Sequence, residues 1–337
     1  MGSIFQQLQQ RVLDNKKGLT GLFVLALLPP VLTDNSYVLH LCITIGLYII
    51  LSLSLNLITG YAGQFSMGHA AFYGIGAYVG ALVMLKGGFS FWVALVASGV
   101  FTFLSGLLLG LPALRLQGDY LGIVTLGFGE IIRLIFINWV SVTRGPMGLP
   151  GVPAPEIGSF MFGSKESFYY IVLLFVIITI VTMHRMTTGR FGLQMATIRE
   201  DETAAVALGI NTTRVKLLAF CIGASFAGIA GTIFASYMSF VSPDSFMYID
   251  SVTILAMIVL GGLCSIPGSI IGAIILVLAP EFMRFLADYR MVLYGLMMVV
   301  IIIFKPEGFW GSRYRVKNYW LRSLGGDSFW QSLKSKI

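Results

Sequence analysis

The chain has 337 residues, 57% hydrophobic and 11% charged, with a formal net charge of +7 at pH 7 and a mean hydropathy of +0.87. Soluble domains carry roughly 25% charged residues, so this composition excludes a water-soluble globular protein. The Lys and Arg residues lie mainly between and beyond the apolar runs, where they orient a membrane protein and do not point to nucleic acid.

In chain order, residues 1–18 form a short basic segment. The apolar stretch Leu19 to Leu32 follows Lys16 and Lys17 but contains Pro29-Pro30 and lacks a small-residue cleavage site, so it reads as a first membrane helix ended near its prolines and not as a signal peptide. Runs long enough to cross ~30 Å of hydrocarbon then predict spans at 36–59, 63–85, 89–111 and 119–142. After a Gly- and Pro-rich connection they follow at 167–184, 214–240, 251–265, 267–286 and 289–304. The expectation is an all-α polytopic membrane protein of about ten transmembrane helices in one bundle. The membrane domain covers 19–304, and 305–337 is a polar tail.

Orientation is set by basic residues, which gather on the cytoplasmic side. Residues 1–18 hold three, 185–216 hold five and 305–337 hold seven of the 22 Lys and Arg. Even numbers of expected spans separate these regions, so both termini and the 185–216 loop belong on the cytoplasmic side. The segment from Ser141 to Glu166, containing TRGPMGLPGVPAP, is too rich in Gly and Pro for a helix and is expected to be ordered but irregular on the outer side.

Small residues spaced by four suggest close helix packing: Gly76 and Gly80, Gly106 and Gly110, Gly118 and Gly122, Ala227 and Gly231, Gly268 and Gly272. The stretch from Gly60 to Ser66 is echoed by Gly261 to Ser265, each leading into a small-residue helix. Such an echo accords with transporters built from two repeated halves. Cys42, Cys221 and Cys264 lack metal or disulfide spacing, and His40, His69 and His184 are far apart. There is no phosphate-cradling G-x-x-x-x-G-K-[ST], no H-E-x-x-H and no G-x-S-x-G. The reading is therefore a non-enzyme, with no metal or cofactor of its own.

Polar residues inside apolar runs are the candidate lining of a translocation path. Glu130 and Arg133 sit within the fifth span, where an unpaired charge costs ~2.5–3.5 kcal/mol on insertion scales. Their i, i+3 spacing allows a mutual pair. Gln64, Ser66 and His69 interrupt two apolar helices; they would line a constriction or form a tight cytoplasmic turn with Ser66 as a cap.

The strongest signal is the loop from Arg185 to Lys216. Thr197-Ile-Arg-Glu200 fits a capping box, Glu200, Asp201 and Glu202 crowd a first turn, and Gly209 stands where a helix ends. A helix of about ten residues is predicted, with Ile198, Ala205 and Leu208 on one face and Ala204 beside them. It is too short to span a membrane and suits docking into a partner's groove.

GYAGQFSMGHAAFYGIGAYVGALV (60–83), LQGDYLGIVTLGFGEIIRLIFINW (116–139), TRGPMGLPGV (143–152) and GRFGLQMATIREDETAAVALGINTTRVKLLAF (189–220) closely resemble the permease subunits of bacterial ABC importers for branched-chain amino acids, the LivM type. The resemblance runs from about residue 36 to Gly311. It implies a bacterial inner-membrane subunit working with a homologous permease, two cytoplasmic ATPase subunits that use ATP and Mg, and a periplasmic amino-acid-binding protein. It also implies that Arg199, Glu200, Asp201, Glu202, Ala204, Ala205, Leu208 and Gly209 form an ATPase-coupling helix, although Glu202-Thr203-Ala204-Ala205 departs from an uninterrupted EAA pattern. Related permeases carry urea or amides, so the resemblance does not fix the cargo. From the residues alone an ion-coupled secondary transporter also stays open, with Glu130 and Arg133 as its supporting feature.

Overall fold

The computed structural model describes residues 35–113, 116, 118–157 and 160–282, with 295 and 299 besides. The expected first span, 19–33, the tail 305–337 and all of 289–304 except residues 295 and 299 lie outside them. Helix α1 (Ser36–Leu55) starts at Asn35, whose side chain takes the Tyr37 amide hydrogen, and passes directly into a π turn, Asn56–Tyr61. α2 (His69–Leu85), α3 (Phe91–Ala113) and α4 (Asp119–Asn138) follow. A four-residue α5 (Val140–Thr143) precedes α6 (Lys165–Thr188), α7 (Arg190–Glu200), α8 (Glu202–Ala207), α9 (Thr212–Met238), α10 (Tyr248–Gly261) and α11 (Ile266–Phe282).

Among the described residues six helices are long and apolar enough to cross a membrane, and α2 and α11 are shorter apolar helices. The chain is an all-α polytopic membrane protein. Three expected boundaries shift. The span expected at 63–85 begins only at His69, because the preceding segment leaves helical geometry after the π turn. The span expected at 119–142 breaks at Trp139, where ψ is 59°. The short stretch at 251–265 starts earlier, since a 3-10 turn at Pro243–Phe246 leads into α10.

α9 is the centre of the bundle and packs against α1, α2 and α3. The small-residue spacing explains why. A Cβ at Gly76 would strike the Gly228 backbone, and one at Gly231 would strike the carbonyl of Tyr73, so α2 and α9 touch backbone to backbone. Gly106 and Gly110 face Cys221 and Leu217 of α9, and Gly268 and Gly272 receive the backbone of α10. In lipid such contacts replace the hydrophobic drive that water would supply. Gly118 takes no part: nothing lies within 4 Å of where its Cβ would be.

The bundle has two finished ends. At one, the described residues of the irregular 141–166 segment include two short ladders: β1 (Leu149–Pro150) pairs antiparallel with β4 (Phe240–Val241), and β2 (Glu156–Ile157) with β3 (Phe160–Met161). Lys86 Nζ donates to the carbonyls of Ser141 and Val142, and Ser236 Oγ donates to Pro153. At the other end lie the π turn, the start of α2 and the charged loop, with α7 against the π turn.

Candidate functional site

The charged loop is not one helix. α7 runs through Thr197, whose hydroxyl donates back to the Leu193 carbonyl at 2.9 Å, so Thr197 caps nothing. Such back-bonding is the ordinary role of a mid-helix Thr. The break comes at Asp201, which adopts extended backbone (φ −157°, ψ 112°) and accepts from the amides of Thr203 and Ala204 at 2.8 and 3.1 Å. The bond from the Thr203 hydroxyl, then those amide bonds, hold the exposed Asp201 carboxyl below the usual range. The predicted helix from Arg199 to Leu208 is therefore replaced by a six-residue α8 that starts after Asp201.

The end of α8 matches expectation. Gly209 lies at φ +81°, the Gly209 amide reaches the Val206 carbonyl and the Ile210 amide reaches Ala205, the paired bonds of a Schellman terminus. The expected apolar face is nonetheless split. Ile198 and Ala205 are buried against the bundle, Leu208 is 73% exposed and Ala204 is exposed. The outward apolar side chains are Leu193, Val206 and Leu208; Leu193 and Val206 carry no pattern that a single-helix reading would have selected.

Arg199 points inward. Its Nη1 donates to the Gly60 carbonyl at 3.3 Å and also contacts Cys264 Sγ, while its stem lies on Gly63. Glu200 remains outside and meets Arg199 Nη2 at 3.2 Å. Glu202 pairs with Lys216 at the base of α9 at 2.6 Å.

Behind Arg199 is a buried polar junction. Asn56 opens the π turn; its Nδ2 donates to Ser269 Oγ at 2.7 Å and to the Ser265 carbonyl at 3.2 Å, and its Oδ1 accepts the Cys264 amide at 3.0 Å. Cys264 Sγ donates to the Gly60 carbonyl at 2.9 Å, and Ser52 Oγ donates to Ser269. The two echoing stretches, Gly60 to Ser66 and Gly261 to Ser265, thus meet in space. Asn56 was missed by sequence reading, although a buried Asn four residues before a glycine inside an apolar run is a visible signal.

The candidate path residues fall into two groups. Gln64, Ser66 and His69 are all buried at the loop end. His69 Nε2 lies 2.7 Å from Ser54 Oγ, whereas the Gln64 side-chain amide and the Ser66 hydroxyl lack partners among the described residues. Ser66 is not a cap: α2 starts at Gly68 without a side-chain cap. The turn is fixed instead by the Met67 amide donating to Thr125 Oγ1 and the Ala70 amide donating to Ser251 Oγ, both at 2.9 Å. Glu130 and Arg133 belong to the other group. They form the expected i, i+3 pair at 3.8 Å, and Arg133 also reaches Asp244 at 3.5 Å, in the turn before α10. Both sit on α4, only 22% of whose apolar stretch is buried.

The Ser54–His69 contact is a hydroxyl beside an imidazole, but it is fully buried, and among the described residues the other imidazole nitrogen has no acid to orient it. No group of three His, Cys, Asp or Glu close enough for a metal occurs among the described residues. The arrangement ties an end loop to the bundle through Arg199, and it offers a charged helix face on an apolar helix of membrane-spanning length. No solved structure matches the chain. The high-affinity branched-chain amino acid transport system permease protein LivM of Escherichia coli is 39% identical over 86% of this chain and 73% of its own, and that of Salmonella typhimurium is 38% identical over the same shares. LivH of Escherichia coli, another permease protein of that transport system, is 27% identical over 80% of this chain and 93% of its own. Residues 37–302 match the family described as branched-chain amino acid transport system / permease component; with its apolar bundle and LivM relatives, the chain belongs to that family.

Proposed function

We propose that this chain is one membrane subunit of an ATP-driven importer that accepts branched-chain amino acids from a periplasmic binding protein, with a homologous permease beside it and two ATPase subunits beneath. On this reading it crosses the bacterial inner membrane about ten times as two related halves. Residues 1–18, the 185–216 loop and 305–337 face the cytoplasm, and ATP and Mg act only on the partners. The observation that carries the reading is the division of labour within the loop. Leu193, Val206 and Leu208 face outward for a groove, while Arg199 of the same loop holds the Gly60 carbonyl at the end of α1. Closure of the ATPases would move α7 and α8, and Arg199 would carry that movement to the π turn and to the loop before α11.

The open face of α4 is the proposed path wall, shared with the second permease. It bears Glu130 and Arg133 within a span, where lipid contact would be costly, and Gly127 has nothing within 4 Å of its Cβ position. The apolar, small-residue lining suits a neutral zwitterion chosen upstream by the binding protein.

The test is uptake of labelled leucine by proteoliposomes holding the complex, with the loop altered. Leu208→Asp places a charge in the docking face and is expected to lower uptake per ATP hydrolysed by about tenfold or more, equivalent to ~1.4 kcal/mol of coupling, with the permease's melting temperature unchanged. Uptake at the wild-type ratio would remove the docking role. ATP-independent uptake by this chain alone, driven by an ion gradient, would replace the proposal with a secondary transporter.

A further inference from the structure

At the loop end a cavity of about 160 Å³ lies between the chain after the π turn, the start of α4 and the charged loop. At ~30 Å³ per water in the liquid, it is sized for about five waters or one small solute, too small for a nucleotide or peptide. Its polar side is made by Gln64, Arg199, Glu202 and Lys216. Gln64 is 3% exposed, yet among the described residues neither its side-chain nitrogen nor its side-chain oxygen has a partner, although buried amides are nearly always hydrogen-bonded. Lys216 and Glu202 bring one charge of each sign to the same wall, 2.6 Å apart. The lining also includes the apolar side chains of Leu121 and Ile198, both buried, and of Leu116, which is partly exposed.

We propose that this cavity is a binding site for a small zwitterionic amino acid with an apolar side chain. Lys216 and the Gln64 NH2 group would take the carboxylate, Glu202 and the Gln64 oxygen would take the ammonium, and Leu121 and Ile198 would cover the side chain. The mixed charge argues against a bare ion. A bare anion would meet the Glu202 carboxylate, and a metal cation would meet two basic side chains and a single acid. In the orientation proposed above, on which this inference rests, the site faces the cytoplasm and takes the imported solute after release. Because its walls come from both the loop and the bundle, occupancy would hold the loop in its present position and oppose its movement. Leucine accumulated inside should therefore slow the transporter, and by linkage nucleotide-driven loop movement should weaken leucine binding.

The test uses the full complex without binding protein, titrated with labelled leucine, and the same complex in proteoliposomes preloaded with leucine. Saturable binding is expected, competed by isoleucine and not by glutamate. Internal leucine should slow uptake, with its half-inhibitory concentration raised at least tenfold by Lys216→Gln and by Leu116→Trp, which fills the mouth from a different element. Leu116→Trp should keep uptake into unloaded vesicles within about twofold of the unaltered complex. Absence of saturable binding, or binding and inhibition in both variants equal to those of the unaltered complex, would overturn the site. A complex that shows no ATP-driven leucine uptake refutes the importer reading, and the binding titration then still decides the cavity by itself.

Discussion

α9 and α4 are both apolar helices of membrane-spanning length, yet 61% of the apolar stretch of α9 is buried within the chain against 22% of that of α4. Hydropathy does not separate them, because a lipid tail and a leucine side chain are equally apolar neighbours. What separates them is where small residues find a backbone to touch. Gly228 and Gly231 of α9 are filled by Thr102 and by the Tyr73 carbonyl, whereas Gly127 of α4 has nothing within 4 Å of its Cβ position among the described residues. α4 also keeps Glu130 and Arg133 on a partly open side. Among the described residues one helix is enclosed by its own chain, and the other keeps an open face.

The largest expected effect tests that contrast directly. Gly231→Leu forces a branched side chain into a backbone contact and should destabilise the purified chain by about 3 kcal/mol or more, read as a fall in detergent melting temperature. Gly127→Leu should change the stability of the chain alone by no more than about 0.5 kcal/mol, read in the same melt, while impairing pairing with the second permease. Equal losses in the two variants would mean that α4 is as enclosed as α9.

Glu130→Gln sharpens the comparison on the polar side. With α4 as a path wall, assembly stays normal and uptake falls by about tenfold to a hundredfold, ~1.4–2.8 kcal/mol in transport. Loss of assembly with normal uptake per assembled complex would instead make the Glu130, Arg133 and Asp244 contacts a packing device. A step smaller, Arg199→Ala removes the tie from loop to Gly60. ATP hydrolysis in the assembled complex should persist while uptake per ATP drops roughly fivefold, ~1 kcal/mol. An unchanged ratio would assign coupling to the outward Leu193, Val206 and Leu208 alone.

The smallest effect concerns the Asp201 cap. Its folded-state carboxyl titrates below its unfolded value, so its support of α8 is complete above the ordinary Asp pKa of about 3.9 and is lost only as pH falls through the lower folded value. Amide exchange at Thr203 and Ala204, measured in the complex, should stay flat from pH 7 to pH 5 after correction for intrinsic rates. Asp201→Ala should raise exchange there at every pH. Protection unaffected by the substitution would show that tertiary contacts, and not the cap, hold α8.

Reading the sequence for apolar runs located the long apolar helices among the described residues, because a span must be apolar over its whole length whatever it packs against; α2 nonetheless starts later than expected, at His69, and α7 was not anticipated. Helix ends were less legible. Thr197 and Glu200 fit a capping box, but α7 was already formed across them and the cap passed to Asp201. The Glu130 and Arg133 pair could be anticipated from local spacing; its extension to Asp244, more than a hundred residues away, could not. Asn56 and Cys264 did not stand out as a pair for the same reason, being 208 residues apart in the chain although the Cys264 amide donates directly to Asn56 Oδ1.

The sequence by itself determined the membrane character, the positions of the apolar helices, the closely packed glycines and the presence of a charged loop with a terminated helix, since each depends on composition or on residues within one turn. Only the tertiary structure decided which way the loop's side chains point. Ile198 and Ala205 went inward and Leu208 outward because Asp201 breaks the helix and resets its phase, and Arg199 found its partners because folding brought Gly60 and Cys264 together beneath it.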